Sequence, residues 1–181
     1  MPDSKLTEAV KGIIGKVVAE GDAALRKFTR DFDGVDLQEI RVSPEVISQS
    51  LDALAPETRS LFANAIKNVE EFHQKQLPES WLEETPDGSK FGMQFKPIQR
   101  VGCYVPGGRA AYPSTVIMTV VPAQIAGVAE IVLTSPPSPH GEVNSMILAV
   151  AGLLGVDEVY AIGGVQAIAA LALGTQSVAK V

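Results

Sequence analysis

Apolar residues recur at helical spacing through the first part of the chain. Leu6, Val10, Ile13, Ile14, Val17 and Val18 fall on one helical face, because side chains three and four positions apart stack along the same side. Gly21 closes that helix, and Asp22 is expected to cap the next. Its stripe is Ala24, Leu25, Phe28 and Phe32, ending at Gly34. Ser43-Pro44-Glu45 reads as a helix start, with a capping hydroxyl, a first-turn proline and an acid at the positive end of the helix dipole. Pro56-Glu57 opens another helix, whose stripe is Leu61, Phe62, Ala65, Val69 and Phe72. From Trp81 the period changes to two. Pro86-Asp87-Gly88-Ser89 supplies turn chemistry between Trp81-Leu82-Glu83 and Phe91-Gly92-Met93-Gln94-Phe95, which predicts a β-hairpin.

After Pro97 the pattern becomes strand, loop, helix. Arg100-Val101-Gly102-Cys103-Tyr104-Val105 reads as a strand, Pro106-Gly107-Gly108 as its exit loop, and Ser114 as the cap of a helix reaching about Ala126. The unit recurs with a strand at 130–134 followed by Ser135-Pro136-Pro137, and again with a strand at 159–162 followed by Gly163-Gly164. Gly127-Val128-Ala129-Glu130-Ile131-Val132 returns as Gly155-Val156-Asp157-Glu158-Val159-Tyr160, about one strand-plus-helix unit later. A third copy would put its strand near or past Val181, so the chain is expected to end while a parallel sheet is still growing. The fold class expected is α/β. An N-terminal portion of helices plus a β-hairpin (residues 1–99) precedes an incomplete Rossmann-like parallel sheet (residues 100–181). Right-handed crossovers bring the three exit loops to one edge of that sheet, where ligands of open α/β sheets bind.

Charge sharpens this division. Of the 36 charged side chains 30 lie in residues 1–100, leaving only Arg109, Glu130, Glu142, Asp157, Glu158 and Lys180 beyond. A sheet with so few charges is expected to be covered on both faces or by further chain. Residues 110–129 are uncharged, yet Pro113, Pro122 and Gln124 interrupt them and basic flanks are lacking. They read as a buried crossover helix and not as a membrane span. A net charge of −6 with no basic cluster argues against nucleic acid as a partner. The lone Cys103 excludes an internal disulfide framework, and without a secretion signal the expected location is cytoplasmic.

Candidate chemistry gathers at the exit loops. Gly107-Gly108 and Gly163-Gly164 allow close backbone approach to a ligand, and the second pair precedes a helix N-terminus suited to a pyrophosphate. Each pair read singly is equally a plain tight turn. Neither matches the G-x-G-x-x-G fingerprint of dinucleotide sites. Tyr104 at its strand end and Gln166 at the opening of the last helix are expected to project toward one crevice; a half-buried Tyr and a capping Gln are the plainer alternative. Arg109 is the only basic side chain between Arg100 and Lys180. His73 and His140 lack a second ligand at metal spacing and read as surface or structural residues. No catalytic triad or zinc motif is evident.

Tyr104-Val105-Pro106-Gly107-Gly108, Tyr112-Pro113-Ser114-Thr115 and the run Gly163-Gly164-Val165-Gln166-Ala167-Ile168-Ala169-Ala170-Leu171 resemble histidinol dehydrogenase. So do Gly21-Asp22-Ala23-Ala24-Leu25, Phe32-Asp33-Gly34, Phe72-His73-Gln74-Lys75-Gln76 and Pro122-Ala123-Gln124-Ile125-Ala126-Gly127, in order along the chain. The resemblance implies an aldehyde-dehydrogenase-like fold, a homodimer and two successive NAD-dependent oxidations carrying L-histidinol through the aldehyde to L-histidine. It implies NAD contacts at Tyr104 and Gln166. The family's zinc ligands, substrate-binding residues and Glu-His acid–base pair match no position here and are expected further on, so the segment alone is expected to be inactive. A shortened, non-catalytic relative acting as a dimerising or nucleotide-binding module is the alternative. An acyl-phosphate reductase is less suitable, because its cysteine nucleophile is not expected inside a strand, where Cys103 lies.

Overall fold

The first two apolar stripes fold as α1 (Ser4–Glu20) and α2 (Asp22–Asp33) in this computed structural model, which describes residues 4–107 and 111–181. Asp22 does not cap α2. The cap position falls to Gly21, which brings no side chain, and the Asp22 carboxylate accepts instead from the amide N–H of Ser177 at 3.2 Å and from its hydroxyl. The tail 175–178 folds back against the start of α2 and presents these donors, so tertiary contact wins over the local cap.

The short strand β1 (Arg41–Val42) leads into α3 (Pro44–Asp52), and α4 (Pro56–Gln74) follows. Ser43 caps α3 as its residue type dictates, its Oγ accepting from the amide of Val46. The expected hairpin forms from β2 (Trp81–Glu84) and β3 (Lys90–Met93), paired in register from Trp81↔Met93 to Glu84↔Lys90. All eight of its strand residues are exposed.

Three strand-and-helix units come next: β4 (Arg100–Tyr104) with α5 (Pro113–Ile125), β5 (Glu130–Thr134) with α6 (Ser145–Leu153), and β6 (Val159–Tyr160) with α7 (Gly164–Leu173). Ser114 is not the cap of α5. Tyr112 occupies that position without a side-chain bond, and Pro113 fills the first turn, where its fixed φ and missing N–H already suit a helix start. The 28-residue repeat is real in space, since Gly127 and Gly155 both turn the chain at positive φ (80° and 70°) just before β5 and β6.

The sheet order is β1-β6-β5-β4. β4, β5 and β6 run parallel, while β1 joins β6 antiparallel through Arg41↔Tyr160 and Val42↔Val159. Strands from both portions of the chain therefore share one sheet. β1 covers the outer side of β6, so the edge strands among the described residues are the two-residue β1 and, on the parallel side, β4.

Both faces are covered, as the lack of charge requires. Alternating residues Cys103, Leu133 and Val159 face one core with Val116, Val120, Ile147 and Val150 from α5 and α6 and Ile47 from α3. Val132, Tyr160 and Ile162 face a second core with Val17, Leu25, Phe28, Ala167 and Leu171 from α1, α2 and α7. Each fully buried Val, Leu or Ile contributes about 1.5–3 kcal/mol relative to exposure, so two apolar faces rather than surface ion pairs hold the sheet. Among the described residues no helix is long and apolar enough to cross a membrane.

Candidate functional site

The carboxyl ends of β4, β5 and β6 are Tyr104, Thr134 and Tyr160, adjacent in register. Their exit loops meet. A Cβ placed on Gly107 would lie 2.9 Å from the Pro136 carbonyl oxygen and 3.0 Å from Ser135 Oγ, and one on Gly163 would lie 2.5 Å from Pro136 Cβ. The loops after β4 and β6 thus close on the loop after β5 at backbone distance, which only residues without a side chain permit. Strands in chain order β4, β5, β6 lie side by side from the open edge inward. In doubly wound sheets the next strand lies beside the first, and the reversal opens a crevice at its carboxyl end. Tyr104 is the last residue of β4, the edge strand of the parallel part of the sheet.

Tyr104 is half-buried against the α7 face, and its hydroxyl accepts a hydrogen bond from the Gly164 amide at 3.2 Å. That amide is among the first donors of α7, which has no side-chain cap and leaves its first N–H groups without intrahelical partners. Gly164 has φ of 63°, a left-handed backbone that favours glycine. Gln166, two residues on, is 1% exposed and its Oε1 has no hydrogen-bond partner. The same oxygen lies 2.8 Å from where a Cβ on Gly164 would be. Tyr104 and Gln166 are therefore gathered around one residue, Gly164, the first through a bond to its nitrogen and the second by packing on its Cα. Gly108 and Arg109 lie outside the described residues.

Sequence reasoning passed over two neighbours. Thr134 and Ser135 are fully buried, and neither hydroxyl has a hydrogen-bond partner. With Gln166 Oε1 they place three orphaned polar atoms at one edge of the sheet. Buried hydroxyls are almost always bonded, so these atoms are candidates to meet a polar ligand. The paired hydroxyl residues Thr134-Ser135 after the apolar run Ile131-Val132-Leu133 were the available signal.

The opposite edge carries a cluster that is structural. Arg100 at the start of β4 bonds Glu130 (2.7 Å) and Glu158 (3.1 Å), the two glutamates that occupy equivalent positions of the repeat. Burial works to raise the Glu158 carboxyl, but hydrogen bonds from Arg100 and Tyr160 outweigh it and hold the group below its ordinary value. The Tyr160 hydroxyl lies 2.8 Å from both Glu158 Oε1 and the Ser177 carbonyl, and burial followed by the Glu158 contact pushes it up to about 12. Neutral Tyr160 and charged Glu158 pin the tail to the sheet.

The other candidates are not drawn into the edge. His73 Nδ1 lies 2.7 Å from Gln76 Oε1, and His140 is exposed in a turn with its N–H donating to Ser138 Oγ. Cys103 is buried, and burial pushes its thiol up despite a hydrogen bond with Thr119, which suits a packed residue and not a nucleophile. Among the described residues no three His, Cys, Asp or Glu side chains converge to hold a metal ion.

The sequence model of the family described as histidinol dehydrogenase matches residues 1–181. Histidinol dehydrogenase of Bacillus licheniformis is 47% identical over 174 residues, covering 96% of this chain and 41% of that protein. The enzyme of the same name from Methanothermobacter thermautotrophicus is 45% identical over 172 residues, 95% of this chain and 40% of its own length. The crystal structure of histidinol dehydrogenase from Elizabethkingia anophelis superposes with a TM-score of 0.92 at 35% identity, over 99% of this chain and 42% of that one. The chain thus spans about two fifths of the length of these relatives.

Proposed function

The chain belongs to the histidinol dehydrogenase family, and on that footing we propose that it supplies part of the NAD cleft of an enzyme oxidising L-histidinol through the aldehyde to L-histidine. The observation that carries the proposal is the meeting of Tyr104 and Gln166 at Gly164, beside the open edge of β4 where a doubly wound sheet binds its ligand. The local chemistry suits NAD. Uncapped amides of α7 favour an anion, and the orphaned Gln166 carbonyl oxygen is free to accept from a hydroxyl or amide of the coenzyme. When bound, NAD accepts the hydride that the alcohol and then the aldehyde hydrate give up.

The residues of this chain orient and enclose the coenzyme; none of those at the edge is placed to take the substrate hydroxyl proton. Tyr104 and Gln166 hold NAD, and the loops after β4 and β6 exclude water beside it. The reading assigns residues 1–181 coenzyme contacts alone, and neither the acid–base pair nor the zinc ligands. L-Histidinol as substrate, a homodimeric assembly and a cytoplasmic location complete the reading.

Titrating NAD into the purified chain by calorimetry, with Gln166→Ala alongside, tests the binding claim. Heat from the wild type that is lost in the variant supports it, and two identical null traces would remove it. Adding NAD, zinc and L-histidinol and following NADH absorbance tests the rest. No turnover is expected from residues 1–181, and steady turnover would overturn that assignment of roles.

A further inference from the structure

We propose that Ser135 is a further coenzyme-positioning residue of this cleft, its hydroxyl donating to a phosphate oxygen of the dinucleotide. The inference rests on the NAD reading above and extends it to a residue on the middle strand's exit loop. Ser135 is 0% exposed, and its Oγ has no hydrogen-bond partner, although its amide is used normally, donating to the Tyr160 carbonyl at 3.1 Å. A buried hydroxyl without a partner forfeits the hydrogen bonds it made to water, and protein interiors seldom leave one so.

What lies against this hydroxyl is Gly107. A Cβ there would sit 3.0 Å from Ser135 Oγ, while Gly107 itself is only half-buried and Pro106 before it is exposed. A thin turn with no side chain therefore separates the hydroxyl from the crevice. On the far side of the same loop, Gly163 packs on Pro136, bringing the uncapped N-terminus of α7 and the orphaned Gln166 oxygen next to it. Helix amides and a hydroxyl donor converging at one edge match an anion with several acceptor oxygens. Because Ser135 is fully buried behind Gly107, the proposal requires the Pro106-Gly107 turn to give way when the coenzyme binds.

The test compares the wild-type chain with Ser135→Ala and Ser135→Cys, measuring NAD affinity by calorimetry and ligand-free stability by thermal denaturation. Removing an orphaned hydroxyl leaves ligand-free stability unchanged or higher, while loss of a hydrogen bond to a charged acceptor weakens NAD binding by about tenfold. Opposite directions in the two readouts, with Ser135→Cys between wild type and Ser135→Ala in affinity, support the proposal. Affinity equal to wild type overturns it and leaves the NAD reading standing. Equal losses of stability and affinity overturn it too, since a packing role does both. A wild-type chain that binds no NAD removes the reading and this inference together.

Discussion

The Tyr104 hydroxyl accepts the amide proton of Gly164 at 3.2 Å, joining residues 60 apart in the chain. One bond thus ties the end of β4 to the start of α7 across the loop between β5 and α6. Tyr104→Phe keeps the ring and removes the acceptor. It is expected to cost about 0.5–1.5 kcal/mol of stability, the net worth of one hydrogen bond, and to weaken NAD binding severalfold in a calorimetric titration. An unchanged melting temperature would show that the bond carries no weight.

Gly164→Ala is expected to cost more, about 2 kcal/mol. Alanine resists a φ of 63°, and its Cβ would stand 2.8 Å from the buried Gln166 Oε1. Chemical denaturation of this variant against Gly155→Ala separates the two causes, because Gly155 shares the positive φ while nothing lies within 4 Å of its Cβ position.

Asp22 gives stability a pH dependence. Burial works to raise its carboxyl, but hydrogen bonds from Ser177 and Thr175 outweigh that and leave it below the ordinary value. The unfolded chain therefore takes up the proton first. The contribution is whole above the unfolded value of about 4 and is lost as pH falls through the folded value. Asp22→Ala, which strands the Ser177 donors, is expected to cost about 2 kcal/mol at pH 7 and to flatten the acid limb of the stability profile measured by urea denaturation.

Asp33 works in the opposite direction. It is the last residue of α2, at the negative end of the helix dipole, one carboxylate oxygen is buried without a partner, and burial raises its carboxyl. Here the folded chain takes up the proton first, so stability gained at low pH is lost as pH rises through the folded value. Asp33→Asn is expected to stabilise the chain by about 0.3–1 kcal/mol at pH 7, with the gain vanishing below pH 4 in thermal melts.

Arg100 is expected to tolerate no simple truncation. Its side chain is 13% exposed and its Glu158 partner 20%, so Arg100→Ala leaves a poorly solvated carboxylate. We expect a cost of about 2–3 kcal/mol, below the full value for a buried pair because Glu130 is 49% exposed. Arg100→Ala combined with Glu158→Gln should recover part of the loss in equilibrium unfolding, since the stranded charge is then gone.

Much of the candidate site's placement was legible because its signals are local. Tyr104 ends a run of alternating residues, and Gly163-Gly164 opens a charge-free helical run; each follows from side-chain period and turn chemistry within ten residues. Ser135 and Thr134 were hidden, since a hydroxyl looks the same in sequence whether bonded or orphaned. Asp22 and Ser114 were misread as caps for a related reason. Residue type proposes a partner, and Asp22 found better donors 155 residues away, while Pro113 made a cap at Ser114 unnecessary.

By itself the sequence determined the helices, the hairpin, the three strand-and-helix units and the burial of both sheet faces, though not the two-residue β1, because periodicity and the scarcity of charge act on neighbouring residues. Only the tertiary structure decided that β1 seals β6 and that β4 is the edge of the parallel strands. That choice turns on pairing between Arg41 and Tyr160, more than a hundred residues apart, whose energy exists only once both strands are already in place.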